Sequence, residues 1–167
     1  QEVPVAVSVI DNKFLAEEHV FNLQGLSDKV PNLTVSKTPF QPVINIRGMG
    51  TGGGARAFEQ SVAMYVDGVY AGRANQFLNP FFDVERVEIV RGPQTVLFGV
   101  NAIAGGINIV NKQPGDELEG FVSTGYGLEN ETWHTDGAIT VPVSDTFAVR
   151  LAGRKGVDGQ YLEDSVT

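Results

Sequence analysis

Cysteine is absent from the 167 residues, and histidine occurs only as His19 and His134. The first absence excludes a disulfide framework and a thiolate metal site. The second excludes a His-rich metal centre. There is no run of 18 apolar residues, so no transmembrane helix is encoded. A membrane is not thereby excluded, because barrel strands of about 9–11 alternating residues cross a bilayer without such a run. No signal peptide is recognisable, and Gln1 fits either a cleaved leader or a truncation. Basic charge is scarce: 12 Lys and Arg stand against 20 Asp and Glu, a net charge of −8. That excludes nucleic-acid binding through a broad basic face. The deficit is also local. Residues 1–115 carry nine basic and ten acidic side chains, whereas residues 116–167 carry three and ten. Such a step predicts two parts that face different surroundings.

Glycine is abundant, at 20 residues. Five glycines fall between Gly48 and Gly54 in "INIRGMGTGGGARAF" (Ile44–Phe58), and Gly48, Gly50 and Gly53 spell G-x-G-x-x-G. Asp67 lies where an acidic ribose-binding residue would follow. A dinucleotide site also needs a helix of about ten or more residues that crosses back over the sheet and points its N–H groups at the pyrophosphate. Only "GARAFEQ" separates the glycines from the next strand, and Asp67 belongs to a D-G turn. The fingerprint therefore fails on context. What it leaves is an exposed loop carrying Arg56 and Phe58, of the kind that grips ligands or partners.

Along the chain, "PVAVSVI" alternates as a strand, and "DNKFLAEEHV" reads as a short helix capped by Asp11 or Asn12. "FNLQGLSDKVP" predicts a second helix capped by Asn22. "LTVSK", "PVINIR", "SVAMYV" and "GGINIVNK" are short strands, and Asp67–Gly68 signals a hairpin leading into "VY". "VERVEIVRG" alternates strictly, with Val84, Arg86, Glu88 and Val90 on one face and Glu85, Val87, Ile89 and Arg91 on the other. "PQTVLFG" predicts one or two helical turns. Residues 1–115 thus read as a mixed α+β unit of short elements and long loops, bounded by "NKQPGDE".

Three long alternating stretches follow, over residues 120–128, 133–143 and 146–154. Val122, Thr124, Tyr126 and Leu128 share a face, as do Trp133, Gly137, Ile139, Val141 and Val143, and then Phe147, Val149 and Leu151. Small or polar residues oppose them, among them His134, Asp136, Thr140, Arg150 and Arg154. A barrel wall has this pattern, and so does a soluble antiparallel sheet with one face on a core. Periodicity leaves both open.

Catalytic signals are thin. There is no G-x-S-x-G, no H-E-x-x-H and no Cys–His pair. Glu85 and Glu88 are expected on opposite strand faces, so they cannot flank one bond, and each is expected to pair with Arg86 or Arg91. No catalytic residue, cofactor or metal site is expected, and the chain is read as a non-enzyme.

The stretch "FFDVERVEIVRGPQTVLFGVNAIAGGINIVNKQP" (Phe81–Pro114) resembles the plug-domain signature of TonB-dependent outer-membrane receptors. "INIRGMG" (Ile44–Gly50) and "VAMYVDGVY" (Val62–Tyr70) match upstream in order and spacing, and the opening "VPVAVSVI" looks like the start of the plug. Phe98, Val100 and Asn111 depart mildly from the pattern. The resemblance implies a plug at residues 1–115, followed at 116–167 by the first three strands of a 22-stranded transmembrane β-barrel. Three strands cannot close a barrel, so the chain is expected to be a fragment. The family imports scarce nutrients such as ferric siderophores across the outer membrane of Gram-negative bacteria. Its partners are TonB with its inner-membrane motor, acting through an N-terminal box not evident here, the nutrient itself and outer-membrane lipid. The resemblance makes Arg56, Phe58, Arg73, Asn75, Gln76 and Phe77 candidate ligand contacts on apex loops. It makes Arg47 and Arg91, with Glu88, candidates for locking plug to barrel. A soluble plug-like binding module is the alternative, and a nucleotide-binding enzyme is a third reading.

Overall fold

The computed structural model describes residues 6–38, 41–51, 61–72, 76, 79–92, 102–127, 132–144 and 146–157. Contacts divide the chain into two compact units, one running to Lys112 and the other starting at Gln113. This is three residues before the boundary read from the sequence. Lys112 still belongs to the first unit because its amide donates to the Asp83 carbonyl at 2.9 Å.

The first unit opens with strand β1 (Ala6–Asp11) and helix α1 (Asn12–Glu17). The Asp11 carboxylate accepts from the Phe14 amide at 2.8 Å, capping one of the free N–H groups of the first turn. Helix α2 (Leu23–Ser27) starts the same way, with Asn22 Oδ1 accepting from the Gly25 amide at 2.8 Å. Then come β2 (Leu33–Ser36), β3 (Val43–Ile46), β4 (Met49–Gly50), β5 (Val62–Val66), β6 (Val69–Tyr70), β7 (Val84–Arg91) and β8 (Gly105–Asn111). They form a five-stranded sheet in the order β1-β7-β8-β5-β6 and a small antiparallel sheet β2-β3-β4. Within the larger sheet only β5 and β8 are parallel.

One core unites these elements. Alternation puts Val87 and Ile89 of β7, Ile107 of β8 and Val62 and Met64 of β5 on the same face of the sheet. They are buried together with Leu23 and Leu26 of α2 and Ile44 and Ile46 of β3. Two hairpins turn on pairs of positive-φ residues, Arg47–Gly48 (55° and 77°) and Asp67–Gly68 (50° and 78°). Two successive positive φ values are the signature of the type I′ turn, whose twist suits paired strands. Gly105 is required where β8 begins. Its φ is 143°, and a Cβ there would stand 2.3 Å from the Val90 carbonyl oxygen.

The second unit is an antiparallel meander of β9 (Glu119–Gly127), β10 (Thr132–Ser144) and β11 (Phe147–Val157), with β10 in the middle. Directly opposed residues share a face. Tyr126, Trp133 and Val157 make one row, Thr124, Thr135 and Lys155 the next, then Val122, Gly137 and Gly153, then Gly120, Ile139 and Leu151. Val122 is 83% exposed and Leu151 66%. On the opposite face Thr140 is fully buried and Ala138 nearly so. No helix among the described residues is long and apolar enough to cross a membrane, which says nothing of strands.

Candidate functional site

The glycine-rich segment enters on the β3–β4 hairpin. Gly48 supplies its turn, and Gly50 lies under Asn45, whose Oδ1 would stand 1.9 Å from an added Cβ. Asp67 is also committed locally. Its carboxylate accepts from the Asn111 amide nitrogen and from Asn111 Nδ2, both at 2.8 Å, and so ties the β5–β6 turn to the end of β8. Two parts of the apparent dinucleotide fingerprint are therefore devices of the sheet.

The candidate apex contacts Arg56, Phe58, Arg73, Asn75 and Phe77 lie outside the described residues, as does the predicted "PQTVLFG" turn. Gln76 is described and exposed. It lines a largely apolar cavity of about 180 Å³ with Met64, Phe81, Phe82 and Ile109 among its walls.

The three candidate locking residues are not brought together as one cluster. Arg47 is exposed on its hairpin, where its amide donates to the Asn32 carbonyl at 2.8 Å. Arg91 ends β7 half-buried, and its Nη1 donates to Ser8 Oγ of β1 at 2.8 Å. Glu88 sits on the other face of β7, opposite Asn108 of β8. Its Oε1 accepts from Arg86 Nε at 2.7 Å and its Oε2 from Asn108 Nδ2 at 2.9 Å. The amide of Asn108 and the guanidinium of Arg86 hold the Glu88 carboxyl below the usual carboxylate range.

Arg86 also takes Glu85, with Nη1 to Oε1 at 2.6 Å. Strict alternation puts the two glutamates on opposite faces. The register against β8 slips between Val84 and Arg86, which leaves Glu85 as the extra residue of a bulge. One arginine therefore serves both carboxylates, and Arg91 serves neither. Arg86 was expected as a partner of these glutamates, whereas Asn108, on the Glu88 face, and Ser8, on the Arg91 face, were not singled out. For Arg86 the signal was present, since it shares a strand face with Glu88. Asn108 and Ser8 needed the register.

The described part of the second unit is amphipathic, with a row of exposed apolar side chains on one face. Its outward face carries Val122, Tyr126, Trp133, Ile139, Val141 and Leu151, all exposed. Its other face carries the ions. Arg154 grips Asp136 with two hydrogen bonds, Nε to Oδ1 at 2.5 Å and Nη2 to Oδ2 at 3.0 Å. The Arg150 side chain, 6% exposed, donates from Nη1 to Thr140 Oγ1 at 2.6 Å and reaches Glu119 at 3.4 Å.

Residues 1–106 match the family model of the TonB-dependent receptor plug domain. The chain belongs to that family. An iron-regulated outer membrane virulence protein of Vibrio cholerae is 27% identical over 165 residues, covering 92% of this chain and 25% of its own length. A hemin receptor of Yersinia pestis is 33% identical over 132 residues, covering 75% of this chain and 18% of its own. Among solved structures, the ferric yersiniabactin uptake receptor FyuA from Yersinia pestis superposes with a TM-score of 0.77 at 27% identity, over 89% of this chain and 24% of that one. The chain spans about a quarter of the length of the first of these relatives. Two of these relatives are named as receptors, and none is named as an enzyme.

Proposed function

We propose that this chain is the plug and the start of the barrel of an outer-membrane receptor that imports a scarce nutrient, a ferric siderophore or similar chelate. Residues 1–115 act as the plug, facing the periplasm and the barrel lumen, and residues 116–167 begin the wall. TonB, energised by proton-motive force, remodels the plug to open the path. The observation that carries this reading is a plug-family unit followed by a sheet with exposed apolar side chains on one face and ion pairs on the other. A soluble sheet buries its apolar face, and a barrel in lipid exposes it. The relatives' names, an iron-regulated outer membrane protein and receptors for hemin and ferric yersiniabactin, point to iron in chelated form.

In this reading Gln76, with Arg56, Phe58, Arg73, Asn75 and Phe77, contributes to the floor of the ligand vestibule. An Arg suits an anionic chelate, and a Phe stacks on flat ligand faces. Arg47 and Arg91 hold the plug against carboxylates of the wall, and Glu88 contributes from the other face of β7. For Arg91, whose guanidinium is half-buried, such an anion offsets the cost of burying the charge; Arg47 is exposed and gains less.

The test is radio-iron uptake by the source bacterium with the full-length receptor gene deleted, using catecholate, hydroxamate and phenolate chelates and haem. Loss of uptake for one class, restored by the intact gene, is expected. Unchanged uptake of all four would remove the import reading. A soluble plug-like module is the second reading, and it requires residues 119–157 to stay monomeric without detergent.

A further inference from the structure

Among the described residues, Asn108 carries the one buried side-chain oxygen that accepts no hydrogen bond, its Oδ1. The other end of the amide is committed. Its Nδ2 donates to Glu88 Oε2 at 2.9 Å across the β7–β8 pair, where the two residues stand directly opposite each other. An ionised carboxylate only accepts, so it has nothing to offer Oδ1. A buried acceptor without a donor is uncommon in a native fold and calls for a reason. In the same cross-strand row stand Val9 of β1 and Tyr65 of β5, with Tyr70 of β6 beyond. The tyrosine rings pack on each other, centroids 5.5 Å apart. Arg86 and Asp11 make the neighbouring row. Arg86 gives Nε to Glu88 and Nη1 to Glu85, and the Asp11 carboxylate accepts from the Phe14 amide. None of these groups donates to Asn108 Oδ1.

A proton on Glu88 supplies the donor. A carboxylic acid presents one O–H beside one carbonyl oxygen, and a carboxamide presents one carbonyl oxygen beside one N–H. The two edges are complementary. The last torsion of a glutamate is broad, so a turn of the carboxyl brings them together. The acid O–H then donates to Asn108 Oδ1, while Asn108 Nδ2 still donates to the acid's carbonyl oxygen. The side-chain link between β7 and β8 changes from one charge-assisted hydrogen bond to two neutral ones. Arg86 loses its anion at Glu88, and its side chain, 37% exposed, turns to water.

We infer that Glu88 and Asn108 form an acid–amide switch, in which Asn108 Oδ1 is the acceptor kept for a proton that Glu88 takes up in acid surroundings. Charged, Glu88 holds Arg86. Protonated, it releases Arg86 and engages β8 with both of its oxygens. Asn108 first and Arg86 second hold the carboxyl below its ordinary value of 4.5, so the exchange belongs to acid below that value. The pair lies wholly within the first unit, so its behaviour does not depend on the import reading.

The test is magic-angle-spinning NMR on the full-length protein in lipid. Glutamate carboxyl and asparagine side-chain carbonyl carbons are labelled, with asparagine or arginine side-chain nitrogens labelled in turn. The Glu88 carboxyl signal is the one absent from both Glu88→Gln and Glu88→Asp, and Asn108 is the asparagine coupled to it. The sample is titrated from neutral pH to about pH 2, past the ordinary carboxyl range. As Glu88 protonates, its carboxyl should keep its dipolar coupling to the asparagine nitrogen and lose its coupling to arginine. The Asn108 carbonyl carbon should shift downfield with the same midpoint, because its oxygen gains a donor. Loss of the asparagine coupling in acid overturns the inference, since the pair then merely separates. Retention of the arginine coupling overturns it as well. An Asn108 carbonyl that does not move with Glu88 does the same, since its oxygen then takes no proton from the acid.

Discussion

The unit that ends at Lys112 and the unit that begins at Gln113 use alternation in opposite senses. In the first, Val87, Ile89 and Ile107 alternate into a dry core, while Arg86, Glu88 and Asn108 stay on the other face of the same strands. In the second, Ile139 and Leu151 alternate outwards, while Asp136 and Arg154 pair on the opposite face. The same period of two serves a buried core in one unit and an exposed apolar face in the other. The step in net charge after residue 115 falls near the same junction, and the described strand acids Glu119 and Asp136 share the face of Arg150 and Arg154.

Reversing either pattern should be the most damaging change. A charge in the outward face of the second unit, Leu151→Asp, should prevent assembly of the full receptor in the membrane. It is checked by heat-modifiable migration in gels, and normal folded migration would break the comparison. In the first unit the sensitive positions are inside. Ile107→Ala deletes a fully buried side chain and should cost about 2–5 kcal/mol of plug stability. Leu151→Ala, removing the same kind of group from an exposed position, should cost the plug nothing. Denaturant titration with a reporter in the plug measures both.

Gly105→Ala should follow, at about 1–3 kcal/mol or more, since it combines a disfavoured φ with a clash against the Val90 carbonyl. The same assay detects it, and an unshifted midpoint would mean that the β7–β8 junction yields more easily than its geometry implies.

The smallest effect is pH-dependent. The Glu88 carboxyl is lowered from its ordinary value of 4.5, first by Asn108 and then by Arg86. A lowered acid stabilises the fold fully above its unfolded value and loses that contribution as pH falls through its folded value. Plug stability should therefore decline on acidification below about pH 4.5, and Glu88→Gln should flatten part of that decline. The side chain is about a quarter exposed, which keeps the effect modest. Identical slopes for wild type and Glu88→Gln would show that the Arg86–Glu88–Asn108 face is electrostatically idle.

Local signals with a local cause were legible in the sequence. Asp11 and Asn22 cap their helices because a short polar side chain ahead of an apolar run can reach back to a free amide. Asp67–Gly68 makes its turn because both residues tolerate positive φ. The strands were visible through alternation, and family membership through several motifs in order. Arg47–Gly48 shows the limit. Its glycine was read as part of a loop, and its role as a type I′ turn appeared only once β3 and β4 were paired.

The chain by itself determined the elements, the two-part organisation and the kinship, because these depend on periodicity, turn chemistry and composition, which are written residue by residue. Tertiary structure alone decided which strands are neighbours. It set the parallel pairing of β5 with β8, the bulge that hands both Glu85 and Glu88 to Arg86, and the bond between Arg91 and Ser8. It also decided which face of the second sheet is exposed. Pairing joins residues far apart in the chain, and period-two alternation is the same whichever face is turned to the core.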